Sequence, residues 1–210
     1  MHIIKPNWSV PPNIKAFTVA QSTPQALQEE FSALFVEQIH SNICVNSDES
    51  QLVPCDAIIT ATTNKPLGIL TADCLPIIVA HKHKPEIANI HAGWRGLYNG
   101  IIASTFQKLT DIPSNYLVWI GPAICVECYN VSDSFRKDFL VKHPHLTNEF
   151  KKNQDWHFNL AGAAGELLRN IGVVDISYSQ ICTYENEQLS SFRRQKNNAG
   201  RLATLIWLEE

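Results

Sequence analysis

Two polar patches, each closing an apolar run, hold the side chains of this chain best suited to chemistry. The run 67–70 (LGIL) opens into Thr71-Ala72-Asp73-Cys74, and the run 87–90 (IANI) opens into His91-Ala92-Gly93-Trp94-Arg95-Gly96. A third apolar run, 76–80, lies between them. Runs of this length read as buried strands. A thiol and an imidazole at the ends of neighbouring strands can meet in one small volume. Thiolate and neutral imidazole are favoured zinc ligands. Without a metal, the same atoms make a nucleophile and its base.

A catalytic zinc site takes three protein ligands and leaves one position open. His40, at the end of an alternating stretch, is the best third candidate by position, with His81 and His83 as competitors on a lysine-flanked loop expected to face solvent. Asp73 could orient a ligand, accept a proton or contact a sugar hydroxyl. Gly93 and Gly96 permit close approach around Trp94 and Arg95, and a helix beginning near Leu97 would add free N–H groups, so Arg95 suits an anion such as phosphate. Glu127 and Tyr129 follow a Gly-Pro bend where site loops often lie, and Phe192-Arg193-Arg194 could supply a substrate-facing arginine. Cys125-Val126-Glu127-Cys128 is a C-x-x-C with no second pair at zinc-ribbon spacing, which is a weak signal.

The elements that must position these groups follow from periodicity. An irregular, proline-rich arm (1–15) leads into a strand at 16–20. Ser22-Thr23-Pro24 starts a helix with Thr23 as cap, and its apolar face runs through Leu27, Phe31, Leu34 and Phe35. Residues 35–40 alternate as a strand ending at His40. Further strands are predicted at 56–62, 116–120, 173–183 and 202–208, and helices at 97–109, 133–141 and 159–171. Several strands follow one another with no helix between. That favours an α+β layered sandwich, a single domain over 1–210 with a mixed β-sheet flanked by helices, over a doubly wound sheet.

The net charge of -3, with Lys and Arg scattered, offers no nucleic-acid footprint. No apolar run approaches the roughly 20 residues of a membrane helix. The start of the chain lacks the basic head and apolar core of a signal peptide, so a cytoplasmic protein is expected, with its six cysteines as core thiols, metal ligands or a nucleophile. A monomer or weak homodimer is expected, with no nucleic-acid or membrane partner.

The segments Thr71-Ala72-Asp73-Cys74-Leu75-Pro76 and His91-Ala92-Gly93-Trp94-Arg95-Gly96 resemble the two signature motifs of the YfiH/laccase-domain family. Gln38-Ile39-His40, Cys55-Asp56-Ala57, Gly121-Pro122-Ala123-Ile124, Cys128-Tyr129, Ser191-Phe192-Arg193-Arg194, Gly200-Arg201 and Ile206-Trp207-Leu208 also match, so the resemblance covers about residues 35–208. It implies a fold related to cysteine-hydrolase α/β sandwiches and a zinc site of His40, Cys74 and His91. It implies phosphorolysis of adenosine, inosine, guanosine or methylthioadenosine, with adenosine deamination. Catalytic roles then fall to Asp73, Cys74 and Arg95, and substrate contacts to Gln38, Arg95, Tyr129 and Arg194; the partners are a nucleoside and phosphate.

Older naming makes the family copper-dependent polyphenol oxidases, with copper as the alternative metal, and some members are described as peptidoglycan editing factors. Multicopper chemistry needs many paired histidines, and only His81-Lys82-His83 and His143-Pro144-His145 have that spacing. The same residues also suit a metal-free Cys–His hydrolase or a non-catalytic binding protein. This chain departs from the family at 1–34, which is shortened: 17–22 (FTVAQS) lacks a usual T-T-R arginine and a usual N-L-x-x-H-x-G-D-D stretch is absent. Asn130 also stands where Glu is usual.

Overall fold

The computed structural model describes residues 2–20, 23–49 and 53–210. β1 (His2–Ile4) and β2 (Ile14–Ala20) pair antiparallel, Ile3 opposite Val19. The predicted irregular arm therefore holds a strand, because a proline-rich link lets β1 fold back along β2. α1 (Pro24–Phe31) is capped by Thr23, whose Oγ1 accepts the Ala26 N–H at 3.1 Å; Ser22 of the predicted helix start lies outside the described residues. The helix ends at Ser32 in the left-handed region, so Leu34 and Phe35 form β3 (Leu34–Phe35) rather than a last turn. β4 (Cys44–Asn46), β5 (Ala57–Thr60), β6 (Leu67–Thr71), β7 (Leu75–His81) and β8 (Ile87–Ala92) follow.

The predicted helix at 97–109 begins earlier and breaks in two: α2 (Trp94–Asn99) and α3 (Ile101–Phe106) meet at Gly100, whose φ of 93° no other residue type adopts cheaply. β9 (Tyr116–Ile120), β10 (Asn130–Val131), α4 (Asp133–Lys142), β11 (Phe150–Lys152), β12 (Trp156–Phe158) and α5 (Leu160–Asn170) come next. Ser132 and Asn159 cap the two helices, accepting from Phe135 and Gly162. The strand-like 173–183 shrinks to β13 (Asp175–Tyr178). α6 (Phe192–Gln195) and β14 (Leu202–Leu208) close the chain.

The strands form a five-stranded sheet (β1-β2-β14-β6-β3), a six-stranded sheet (β13-β9-β7-β8-β5-β4) and a small antiparallel sheet (β10-β12-β11). The small sheet has no clear period in the sequence. Ile58, Ile78 and Trp119 of the six-stranded sheet pack on Leu67, Leu202 and Ile206 of the five-stranded one. On the other face of the six-stranded sheet, Ile77, Val79, Ile90 and Val118 meet Leu97 and Ile101 and, from α5, Leu160 and Leu168. α1 covers the outer face of the five-stranded sheet, Leu27 against Val19 and Leu205. The layers thus run α/β/β/α. β7 is buried on both faces, which is why its sequence shows no period of two. Each such fully buried Ile or Leu contributes about 1.5–3 kcal/mol. Asn89 bridges the sheets, its Nδ2 donating to Leu67 O at 2.9 Å and Thr204 O at 2.8 Å.

Three crossings between the two sheets gather at one end of the sandwich. The chain leaves β3 for β4 through residues 36–43, β6 for β7 through 72–74, and β13 for β14 through 179–201. These crossings carry Gln38, His40, Asp73, Cys74, Arg193 and Arg194, and the end of β8 carries His91; Arg95 lies on α2 and Tyr129 follows β9. No helix among the described residues is long and apolar enough to cross a membrane.

Candidate active site

His40, Cys74 and His91 each offer a donor atom, and these atoms lie within 4.8 Å of one another. Cys74 sits at the β6–β7 crossing. His91 is the penultimate residue of β8, paired with Pro76 beside it. His40 stands in the 36–43 crossing with a φ of 58°, its ring edge-on to His91 at 4.8 Å between centroids. Gly93 makes room for them. A Cβ there would lie 2.8 Å from Cys74 Sγ and 3.4 Å from His40 Cδ2.

One carboxylate organises the cluster. Asp56 is wholly buried just before β5. Its Oδ1 accepts from His91 Nδ1 at 2.7 Å and from the His40 N–H at 3.0 Å. Its Oδ2 accepts from the Ser41 N–H at 2.5 Å, Ser41 Oγ at 2.7 Å and the Ile39 N–H at 3.3 Å. A carboxylate on the far nitrogen fixes an imidazole's tautomer and direction. With Nδ1 given to Asp56, Nε2 is the nitrogen left for the cavity.

The charges follow from these contacts. Burial works against ionised Asp56, yet its hydrogen bonds from His91 and Ser41 prevail and hold it at about 2. Burial also disfavours protonated His91, but Asp56 and Cys74 lift it to about 9. For Cys74, burial pushes up while hydrogen bonds from His40 and His91 pull harder and bring it to about 7. Between about pH 7 and 9 these values favour an Asp⁻–His⁺–Cys⁻ array in the metal-free cluster. Two imidazoles and an easily formed thiolate, with a carboxylate locking one ring, also fit a zinc ion with an open fourth position.

The cluster forms the wall between two recesses of about 470 and 260 Å³. His40, Ala72, Cys74, Arg95 and Phe192 line both. The larger, within the usual range of about 300–1,000 Å³ for ligand pockets, adds Gln38, Thr71, His91 and Arg201. The smaller adds Asp73, Trp94, Tyr129 and Arg193. Thr71 Oγ1 is buried with no protein partner. Arg95 is exposed and stacks on Trp94, 4.4 Å from the ring centroid. It lies in the first turn of α2 rather than ahead of a helix starting near Leu97. Tyr129 is held protonated well above the usual phenol range, by burial first and then by the Cys74 charge.

Other side chains expected at the site are engaged elsewhere. Gln38 lines the larger recess, but its amide clasps the Leu70 backbone, donating at 2.7 Å and accepting at 2.8 Å. It thereby replaces the strand ladder that the alternation at 35–40 suggested. Asp73, at a φ of 85°, accepts from Thr183 Oγ1 and from the Arg193 N–H, both at 2.6 Å. It ties the 72–74 crossing to the 179–201 crossing. Arg194 is turned away from both recesses, its guanidinium donating to the carbonyls of Thr183, Tyr184 and Leu189. Arg193 is the arginine on the site side, over the Tyr129 ring at 5.1 Å.

His81 is buried, not solvent-facing. Its Nε2 meets Asp111 at 3.1 Å and its Nδ1 accepts the N–H groups of His83 and Lys84. Glu127 is exposed beside Lys151, 3.9 Å away. Asp56 and Thr71 carried no independent signal of their roles, although an acidic residue directly before the apolar run 57–59 marks a buried charge in want of partners, and of the Arg193-Arg194 pair offered for a substrate-facing arginine it is Arg193 that lines the site.

Fold and site together define a class: an α/β/β/α sandwich with a two-histidine, one-cysteine cluster where its sheets exchange strands. The family described as multi-copper polyphenol oxidoreductase laccase matches residues 15–209, and the chain belongs to it. A purine nucleoside phosphorylase from Haemophilus influenzae is 30% identical over 245 aligned positions covering 100% of both chains. That alignment is longer than this chain, so the relative carries segments that this chain lacks. The purine nucleoside phosphorylase YfiH of Escherichia coli is 33% identical, over 83% of this chain and 73% of its own. A crystal structure of a DUF152-family protein from Neisseria meningitidis superposes with a TM-score of 0.88 at 25% identity, over 99% of both chains.

Proposed function

We propose that this protein is a zinc-dependent purine nucleoside phosphorylase that also deaminates adenosine. The observation that carries the reading is the convergence of His40, Cys74 and His91 on the wall between two recesses, with Asp56 locking His91. The names of its relatives supply the substrate class. Zinc held by those three residues would supply a Lewis acid beside the bound nucleoside.

The chain's own residues then divide the work. Arg95 and Arg201 line the larger recess and hold phosphate. Phosphate oxygen attacks C1′ as the C1′–N9 bond breaks, and the purine leaves with the bonding electrons. Tyr129, kept neutral, donates a hydrogen bond to the departing base in the smaller recess. Asp73 acts by position, since both its oxygens hold the surrounding crossings. Adenosine, inosine, guanosine and methylthioadenosine are the proposed substrates, met in the cytoplasm by a monomer or weak homodimer.

Copper-dependent phenol oxidation is less well supported by the donor set. His81 has both ring nitrogens committed and His143 Nε2 faces Tyr98 O at 3.0 Å, so neither H-x-H pair offers a free histidine couple. The depressed Cys74 beside protonated His91 does suit a second reading, a metal-free Cys–His hydrolase. Metal quantification beside an adenosine-plus-phosphate assay tests both. Phosphate-dependent adenine release by the zinc-loaded protein, with zinc and turnover both lost in His40→Ala, is expected. Arg95→Ala should raise the KM for phosphate. Turnover that survives a chelator but not Cys74→Ala, or dioxygen-dependent phenol turnover with stoichiometric copper, would overturn the proposal.

A further inference from the structure

A second group of soft ligands stands outside the site just described. Sγ of Cys125, Cys128 and Cys182 and a carboxylate oxygen of Glu185 all lie within 4.8 Å of one another. The third cysteine is what the C-x-x-C lacked in sequence: it arrives from 57 residues further along the chain. Two loops bring it in. The segment after β9 and the segment after β13 run side by side, Ala123 bridging Cys182 in parallel. Ala123 N–H donates to Ile181 O at 3.2 Å and Thr183 N–H to Ala123 O at 3.0 Å. A single 3-10 turn at Val126–Cys128, closed by Cys128 N–H donating to Cys125 O at 3.2 Å, returns both thiols of the motif to one side.

We propose that Cys125, Cys128, Cys182 and Glu185 form a structural zinc site, distinct from the His40–Cys74–His91 cluster. Tetrahedral zinc with bonds of about 2.3 Å to sulfur sets its ligands roughly 3.8 Å apart, so a small contraction of the observed group closes the shell. Without a cation, burial and the neighbouring thiols hold Cys125 and Cys128 protonated, above the usual thiol range. The Cys125 N–H points at Cys182 Sγ from 3.3 Å, as backbone donors do towards metal-bound sulfur, and Cys128 Sγ faces Glu185 Oε1 at 3.6 Å. Glu185 is exposed and, among the described residues, no Lys or Arg pairs with it, which leaves its carboxylate available and gives a cation a way in.

An odd number of thiols also cannot be satisfied by disulfides alone, whereas three thiolates and a carboxylate fill four positions. On binding, each thiol gives up its proton to solvent and nothing is oxidised. The clasp would pin the loop leading to Tyr129 against the loop holding Thr183, the hydroxyl that secures Asp73.

Zinc content of the full chain, untagged, reduced with a phosphine and dialysed against zinc, tests the assignment. Wild type should retain about two zinc ions per chain, and about one should remain both in Cys74→Ser and in Cys125→Ser/Cys182→Ser. In the cobalt-substituted protein, Cys74→Ser should keep about three quarters of the thiolate-to-cobalt charge-transfer intensity, since three of four thiolates survive. This arm leaves the proposed site intact, so a folding failure of the double variant does not decide the matter. Wild type saturating at one zinc, with Cys74→Ser binding none and losing the whole charge-transfer band, would overturn the proposal. So would a disulfide within this trio in the reduced, zinc-treated protein.

Discussion

Replacing Asp56 by Asn isolates the carboxylate's role at almost constant shape. Both oxygens face only donors: the His40 N–H and His91 Nδ1 at Oδ1, two backbone N–H groups and a hydroxyl at Oδ2. The new NH2 therefore takes the Oδ1 side, where fewer donors oppose it and one can adapt. His91 adapts by giving up its Nδ1 proton, so Nδ1 accepts from the introduced amide and the remaining proton sits on Nε2. That proton blocks the nitrogen that would face a metal. The His40 N–H cannot adapt, and an unsatisfied buried donor costs about 1–3 kcal/mol.

For a chain of 210 residues, about 2 kcal/mol lowers the melting temperature of metal-free protein by roughly 4–8 °C. Loss of the orienting carboxylate should weaken zinc binding about 10–100-fold. Competition with a chromophoric chelator measures the second effect, and thermal melts in excess chelator measure the first. An Asp56→Asn protein that melts as wild type and binds zinc within twofold of it would refute the argument that this carboxylate sets the tautomer.

Four further outcomes follow. Gly93→Ala should push Cys74 Sγ aside, because the added methyl would sit 2.8 Å from it; zinc affinity at this cluster should fall at least about tenfold, at a stability cost of about 1–3 kcal/mol. In metal-free protein, alkylation of Cys74 should rise with a midpoint near pH 7 rather than the ordinary 9. The linked stability from Cys74, whose folded value is depressed, is present above 9 and lost as pH falls through 7. That from His91, whose folded value is raised, is present below 6.5 and lost as pH rises through 9. The two slopes oppose each other between pH 7 and 9, so melting temperature should be nearly flat there and should fall with rising pH in Cys74→Ser. Arg194→Ala should cost about 2 kcal/mol, seen as roughly 4–8 °C in a melt, by releasing three carbonyls, with little change in the KM for phosphate.

Much of the fold was legible because its central strands are unusually plain. β7 and β9 are buried on both faces, so their apolar runs marked them without any need for alternation. The cap at Thr23 gave a helix start through side-chain chemistry that is local. The misses are non-local. β3 and the unpaired 36–40 look alike in sequence, and only Gln38's grip on Leu70 shows why the ladder stops. Arg193 and Arg194 are adjacent and chemically identical, and only the loop around 183–189 decides which is spent on carbonyls. His40 was the best third candidate by position and motif resemblance selected it, whereas Asp56 went unassigned because its value lies entirely in what surrounds it. The C-x-x-C stayed a weak signal for the same reason, its third sulfur being distant in sequence.

The sheet crossings carry a mechanical consequence. His40 and Cys74 lie on chain segments that leave one sheet for the other, while His91 belongs to the inner sheet alone. The cluster is a seam, and an ion drawn into it would act as a rivet through both layers. Any sliding of one layer over the other changes the spacing of the donors directly. Side chains deep in the interlayer packing, such as Trp119 and Ile78, would then tune ion affinity from well outside the recesses. Loading, in turn, would report on how squarely the two layers are seated.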